Sequence, residues 1–542
     1  MRLDTRTTLD EIRQNTKNVN LMEVQNVENF MNKLEDTIGE EGNVSITENG
    51  AVGYKTSGKS LLDLNFAITS LRGKSDDDVK NMFERAFIDD KKLAIKWLFY
   101  AGDVRFGVGE RRLFRVGLEY LAEFEPELLK KVLKFVPEYT RWDNYLHLLD
   151  TVVKDDVVAI IREQLNRDVL DMKEGKSISL ASKWLPSANS SSATTKRYAK
   201  MLIKALGYSE RAYRKLLSSL RSYSNVVEVK MSSKRWGDID YASVPSRANL
   251  IYKEAFLRND KERRQAYLDA LTKGETKINA GVVFPHDIVH KYIAVQSYSY
   301  KQAVKPEDTV LEEMWKALPD YVKGNGTTIC VADGSGSMTT KVGNSGVNCL
   351  EVANALAIYF AERCKGAFYN KYITFSENPQ LVNLGFGETL RDKIRIALQH
   401  DEYANTNIEG VFDLILATAV KHKMKQDDLP STILVLSDME FDSATYCYGH
   451  EPLGTKLFAT IADKFEERGY KLPRLVFWNI NSRTGTIPVK QNDLGVALVS
   501  GFSPAVVSMV LSNEVDPFKC LLEQINSKRY EPIEEALSSG SI

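Results

Sequence analysis

The sequence predicts two domains of different class: an all-α helical-repeat half followed by a doubly wound α/β half. Two observations predict this. Apolar residues recur with a period near 3.6 from about residue 61 to 322, and short β-branched apolar runs alternate with helical stretches from about 326 to 542. A chain of 542 residues with 43% hydrophobic and 27% charged residues is long enough to bury both cores.

Residues 1–60 are polar, rich in Asn, Thr and Gly, and predict a loosely packed arm with one short hairpin around Glu48-Asn49-Gly50. In the next region, DKKLAIKWLFYAG, GERRLFRVGLEYLAEF, PELLKKVLKFV and DDVVAIIREQLNRDVLDM each place apolar residues at i, i+3, i+4 and i+7. SERAYRKLLSSLRSY and RANLIYKEAFLR continue the pattern. Short breaks at Gly, Pro and Asp suggest stacked antiparallel helix pairs, an α-solenoid without a regular repeat length.

The boundary falls near Lys323-Gly324-Asn325-Gly326. Beyond it TTICVAD, FYNKYITFS, STILVLSD, PRLVFWNIN and VALVSG read as strands buried on both faces. NCLEVANALAIYFAERC, ETLRDKIRIALQ, IEGVFDLILATAVKHK and TKLFATIADKFEERG lie between or beside them as helices.

The net charge is −1, so no global field favours nucleic acid or membrane. The distribution is uneven. From Lys176 to Arg264 there are 19 Lys or Arg against 7 Asp or Glu, a local excess of 12 positive charges, leaving about −13 elsewhere. Lys183, Lys196, Arg197, Lys200, Lys204, Arg211, Arg214, Lys215, Arg221 and Arg247 are the candidate RNA-binding cations, with Lys234 and Arg235 beside them. Trp184, Tyr198, Tyr208, Tyr213, Tyr223, Trp236 and Tyr241 are interleaved, a mixture that suits phosphates and unpaired bases, single-stranded or in a structured small RNA. A solvated face, or contacts to the acidic α/β half, would account for the same charges.

The five cysteines, Cys330, Cys349, Cys364, Cys447 and Cys520, form no Cys-x-x-Cys pair and read as reduced, mostly buried thiols of a cytoplasmic protein. No run of about 20 apolar residues marks a membrane span, and the polar N-terminus does not resemble a signal peptide.

In VADGSGSM, Asp333, Ser335 and Ser337 follow the first strand of the α/β half. Thr406 precedes a later helix, and Asp438 ends the strand ILVLSD. Ligand sites of open parallel sheets collect beyond the strands' carboxyl ends, so three distant segments deliver oxygen donors to one crevice. Two carboxylates and three hydroxyls, without His or Cys, suit Mg²⁺, with Mn²⁺ or Ca²⁺ as alternatives. Waters or a partner's carboxylate would complete the shell, so an acidic protein partner is a second expected ligand of the site.

These five residues, in this order, resemble the metal-ion-dependent adhesion site (MIDAS) of von Willebrand factor A domains, and the resemblance covers about 326–542. A helical half followed by such a domain resembles the Ro autoantigen architecture, a TROVE (HEAT-like) domain plus a von Willebrand A domain. SGKSLLDLNFA, GVGERRLFRVGLEYLAE, KWLPSANS, KRYAKMLIKALGYSERAYRK, WGDIDYASVPSRANLIYKEAF and FPHDIV are similar to uncharacterised phage, bacterial and eukaryotic relatives of that architecture. The resemblance implies a non-catalytic RNA-binding ribonucleoprotein component or RNA chaperone. A metal-dependent protein-interaction scaffold without RNA is the alternative.

Two further motifs are expected to be decoys. GYKTSGKS at 53–60 fits the phosphate-loop pattern of nucleotide hydrolases, yet polar NVSITENGAV precedes it instead of a buried strand. FPHDIVH spaces His286 and His290 like a zinc pair but offers no third ligand nearby, and reads as a helix start at Pro285. Gly107 and Gly109 mark a turn between helices.

Overall fold

The computed structural model describes residues 42–294, 303–322, 327–343, 345–375, 378–402, 407–442, 457–488, 496–503, 506 and 516–539. Thr406, Cys447 and the whole 323–326 boundary segment lie outside them. Four strands form two small antiparallel pairs: β1 (Val44–Ile46) with β2 (Val52–Tyr54), and β3 (Ile293–Ala294) with β4 (Ala303–Val304). The first pair is the hairpin expected around Glu48-Asn49-Gly50, and Gly50 adopts the left-handed φ of +93° at its turn.

Among the described residues the main sheet has six strands: β5 (Thr328–Asp333), β6 (Lys371–Phe375), β7 (Gln380–Asn383), β8 (Thr432–Ser437), β9 (Arg474–Asn479) and β10 (Val496–Ser500). Their order is β10-β9-β8-β5-β6-β7, all parallel except β7, which runs antiparallel to β6. Every residue of β5 and β10 is buried, as the continuous apolar runs require. The chain crosses from β5 to β6 on one side and returns to β8 on the other. A crevice therefore opens at the carboxyl ends of β5 and β8.

The helix Cys349–Ala361 is buried on all sides. It lies between the sheet and a second layer that includes the helices Pro285–Tyr292 and Leu390–Gln399. A helix apolar all round belongs in such a position. Asn348 caps it, its side-chain oxygen accepting from Glu351 N at 2.8 Å.

The two halves share one hydrophobic core, whose members come from both, from Ala51 to Leu537. The helix Ser60–Phe66 packs on β10, and Asn479 donates to the carbonyl of its last residue, Phe66, at 2.8 Å. Thr69 and Ser500 exchange hydroxyl contacts at 2.9 Å. From the other end of the chain, the helices Pro517–Ile525 and Glu531–Ser538 pack back onto Lys91–Gly102. Arg529 Nε donates to the buried Asp103 at 2.9 Å, and Lys96 Nζ donates to Asn526 at 2.6 Å.

The hairpin is likewise docked, which corrects the expectation of a loose arm for residues 44–54; residues 1–41 of that arm lie outside the described residues. Tyr54 N donates to Ile487 O at 2.8 Å and Ile487 N returns a bond to Tyr54 O at 2.9 Å. Gly53 permits this approach, since a Cβ there would stand 2.7 Å from Ile487 O.

The helices Lys154–Lys173, Ala193–Leu206 and Glu210–Tyr223 continue the helical array, the two shorter ones packing on the first. Gly207 makes the turn between them at φ +74°. Beyond them a separate small core forms around Val227, Ile239, Tyr241, Val244, Ala248 and Phe256. No helix among the described residues is long and apolar enough to cross a membrane.

A candidate metal centre and a cationic helical face

Asp333 ends β5 and is buried. Its Oδ1 accepts from Ser335 N at 2.9 Å and its Oδ2 from Ser437 Oγ at 2.6 Å. Ser335 Oγ and Ser337 Oγ are 3.0 Å apart, and Ser337 also bonds Asp438. Asp438 follows β8, fully buried, at the opposite lip of the crevice. The structure thus gathers Asp333, Ser335, Ser337 and Asp438. The fifth expected ligand, Thr406, lies outside the described residues.

Gly334 is a glycine because the loop turns hard against the next strand. Its N–H donates to Phe375 O at 2.8 Å, and a Cβ would stand 3.0 Å from the Thr374 hydroxyl. Met439, beside Asp438, has φ +64°, a strained conformation for a side chain of that size.

Three residues around the crevice were not read from the sequence. Asp401 is a third acid. Asn354 Nδ2 donates to it at 3.1 Å, and burial, with a smaller contribution from Asp333, pushes its carboxyl up to about 7. Arg483 Nη1 donates to Asp438 Oδ2 at 2.7 Å. Arg483 Nη2 reaches Glu48 Oε2, on the hairpin, also at 2.7 Å. A general signal existed for Arg483: it sits in the loop after the carboxyl end of β9, where such sheets build sites. Glu48 carries no such signal.

Burial, and then the neighbouring charge of Asp438, raise the Asp333 carboxyl above its ordinary value. Burial also raises that of Asp438, and Arg483 works against it. Among the described residues Asp333 and Asp401 have no basic partner. The crevice is therefore short of positive charge.

The donors suit a hard divalent ion. The separation of the two serine oxygens is close to one edge of an octahedron with metal–oxygen bonds of about 2.1 Å. Cys349 lies nearby, but burial pushes its thiol up to about 12, so it offers no thiolate. Among the described residues no three His, Cys, Asp or Glu side chains gather to hold a metal by themselves. An ion here would depend on the serine hydroxyls and on water.

The ten candidate RNA-binding cations divide into two groups. Lys196, Lys200 and Lys204 are exposed at i, i+4 and i+8 along Ala193–Leu206, one face of that helix. Arg211, Arg214 and Lys215 are exposed on the first two turns of Glu210–Tyr223. These six make no ion pair among the described residues. The other four are engaged. Lys183 faces Glu228 at 3.5 Å, Arg197 pairs with Asp150 at 3.0 Å, and Arg247 pairs with Asp287 at 2.9 Å.

Arg221, seven residues beyond Arg214 on the same helix, does not join it in solvent. It donates to Ser182 O at 2.7 Å, Leu185 O at 2.8 Å and Ser187 Oγ at 2.8 Å, and so ties down the chain after the short helix Ala181–Trp184. The stacking aromatics are mostly committed as well. Tyr213 and Tyr241 are buried, Trp184 is covered by Arg141 at 3.9 Å, and Trp236 packs on Phe256. An aromatic every few residues in a helical array is first of all core.

The residues of the two motifs expected to be decoys are engaged within the chain. The loop of GYKTSGKS is closed by the chain's own Asp63, which accepts from Ser57 N at 2.8 Å and from the Thr56 hydroxyl. Its glycines serve the hairpin contact (Gly53) and a left-handed turn (Gly58, φ +90°). Lys59 is exposed, with Nζ 5.6 Å from the centre of the Phe518 ring. His286 is buried against Phe502, ring centres 4.9 Å apart, and His290 Nδ1 bonds Glu351 at 2.6 Å, so the two diverge.

Two family models match the chain. One is a domain of unknown function (DUF2828) over residues 130–328, the other a domain of unknown function (DUF7788) over residues 327–535. The chain is 29% identical over 531 residues to an uncharacterised protein, L728, of Acanthamoeba polyphaga mimivirus, covering 91% of this chain and 89% of that protein. Among solved structures, the Ro (RSR) protein of Deinococcus radiodurans aligns with 88% of this chain and 100% of its own. The identity is 15% and the TM-score 0.41.

Proposed function

We propose that this protein is a non-catalytic RNA-binding protein, a Ro-like ribonucleoprotein component or RNA chaperone. The observation that carries the reading is the set of six exposed cations without an ion pair among the described residues, Lys196, Lys200, Lys204, Arg211, Arg214 and Lys215, on two consecutive helices of a chain whose net charge is −1. Phosphate contacts from such a face supply sequence-independent affinity. With Tyr213, Tyr241 and Trp184 committed to packing, the face grips the RNA backbone more than it stacks on bases.

In this reading the C-terminal domain is of von Willebrand factor A type. Asp333, Ser335, Ser337 and Asp438 hold Mg²⁺, and Thr406 completes the set. The ion supplies the missing positive charge and an open position for an acidic side chain of a protein partner. Hydrolase chemistry at residues 53–60 is set aside because Asp63 already occupies the donors that a phosphate would need.

The test is binding of a single-stranded RNA oligonucleotide to the full chain, wild type against the triple variant Lys196→Glu, Lys200→Glu, Lys204→Glu. At low salt the variant is expected to lose at least ten-fold in affinity. Absence of measurable binding by the wild type overturns the reading. If RNA binding fails while Asp333→Ala still abolishes capture of a protein partner, the protein-interaction scaffold takes its place.

A further inference from the structure

We propose that Arg483 is an internal cation that holds Asp438 until a divalent ion displaces it, with Glu48 tying this exchange to the N-terminal hairpin. The inference rests on the metal reading above.

A buried carboxylate needs a positive partner. Asp438 has one in Arg483, whose guanidinium stays protonated and so cannot leave by losing its charge. A divalent ion held by Asp333, Ser335 and Ser337 would bring two positive charges to the carboxylate that Arg483 already occupies. Like charges on one buried acid repel, so the two cations compete.

Arg483 has somewhere to go. Its side chain is 25% exposed, whereas that of Asp438 is fully covered. Its second partner, Glu48, is 47% exposed, so a displaced guanidinium keeps a counter-charge at the rim. The exchange strands no buried cation.

The hairpin feels the exchange because it is bonded to both loops of the crevice. Thr47 Oγ1 donates to Phe441 O at 2.6 Å, and Glu48 N donates to Glu440 Oε2 at 2.9 Å. The same Glu440 carboxylate accepts from Arg483 N at 2.7 Å and Thr484 N at 2.9 Å. Ser45 and Thr486 hydroxyls meet at 2.9 Å. The segments 439–442 and 482–487 are thus clamped by residues 45–54, and Arg483 sits at the junction.

The experiment is a Mn²⁺ titration of the full chain followed by electron paramagnetic resonance, wild type against Arg483→Met, with thermal melts confirming that both are folded. Removing the competitor is expected to tighten Mn²⁺ binding at least ten-fold. Equal or weaker binding overturns the proposal and leaves the metal site standing. Absence of binding to both proteins at millimolar Mn²⁺ removes the proposal and the metal reading together. In the wild type, saturating Mn²⁺ is expected to speed modification of Arg483 by an arginine-directed dicarbonyl, read by peptide mass spectrometry. An unchanged or slower rate contradicts the proposal even if Arg483→Met fails to fold.

Discussion

The first helices, Ser60 to Tyr139, and the helices from Lys154 to Tyr223 have similar periodicity and differ in how their cations are engaged. In the first group several cations are tied to other elements: Arg72 pairs with Glu110, Lys92 and Lys131 reach Ser538 and Ser539, and Arg85 and Arg111 face solvent. Lys96 reaches Asn526 and Arg529 answers Asp103. In the second group six cations face solvent without an acidic partner among the described residues. The difference teaches that an amphipathic pattern fixes which side of a helix is buried. What the polar side does depends on what packs there.

The largest way to break the comparison is to cut a tie of the first group. Arg529→Met leaves the Asp103 carboxylate, 1% exposed, without its cation, and is expected to destabilise the protein by about 3 kcal/mol. Because one core spans both halves, denaturant unfolding should stay a single transition with a lower midpoint. Separate transitions for the two halves would contradict the shared core. In the second group, reversing Lys196, Lys200 and Lys204 is expected to change stability by less than about 0.5 kcal/mol per site.

A pH dependence of the inter-half packing comes next. Burial against Phe502 pushes His286 down to about 4, with Arg72, Arg247 and His290 acting in the same direction and Asp287 against it. A histidine lowered below its unfolded value of about 6.5 contributes stability that is present above that pH. It is lost as pH falls towards 4, up to about 3 kcal/mol in all. His286→Phe should therefore flatten the fall in urea midpoint between pH 7.5 and 4.5. Parallel curves for wild type and variant would refute this assignment.

The smallest effect is at Lys59. Its exposed cation–π contact is worth about 0.5–1 kcal/mol. Lys59→Ala should cost no more than that and leave any nucleotide hydrolysis measured with the protein unchanged. Loss of a hydrolytic activity in the variant would revive the phosphate-loop reading.

Much of this was legible in the sequence, because local patterns carry it. β5 and β8 announce themselves as apolar runs, and Asp333 and Asp438 fall at their carboxyl ends as the sheet rule requires. The short antiparallel edge β7 has no such run, and only its pairing with β6 makes it a strand. Arg221 looked like part of a cationic stripe at i, i+7 from Arg214. Its carbonyl partners at Ser182 and Leu185 come from another segment, invisible to helical spacing. The docked hairpin and the Glu48–Arg483–Asp438 chain join residues as many as 441 positions apart. No local pattern encodes contacts of that range.

The most direct test is the salt dependence of RNA binding by the full chain. If the six cations meet phosphates, the logarithm of affinity should fall linearly with the logarithm of salt, with a slope near −0.7 per contact on a single strand. Reversing Lys196, Lys200 and Lys204 should flatten that slope by about 2. A wild-type affinity indifferent to salt, or an unaltered slope in the variant, would contradict the account.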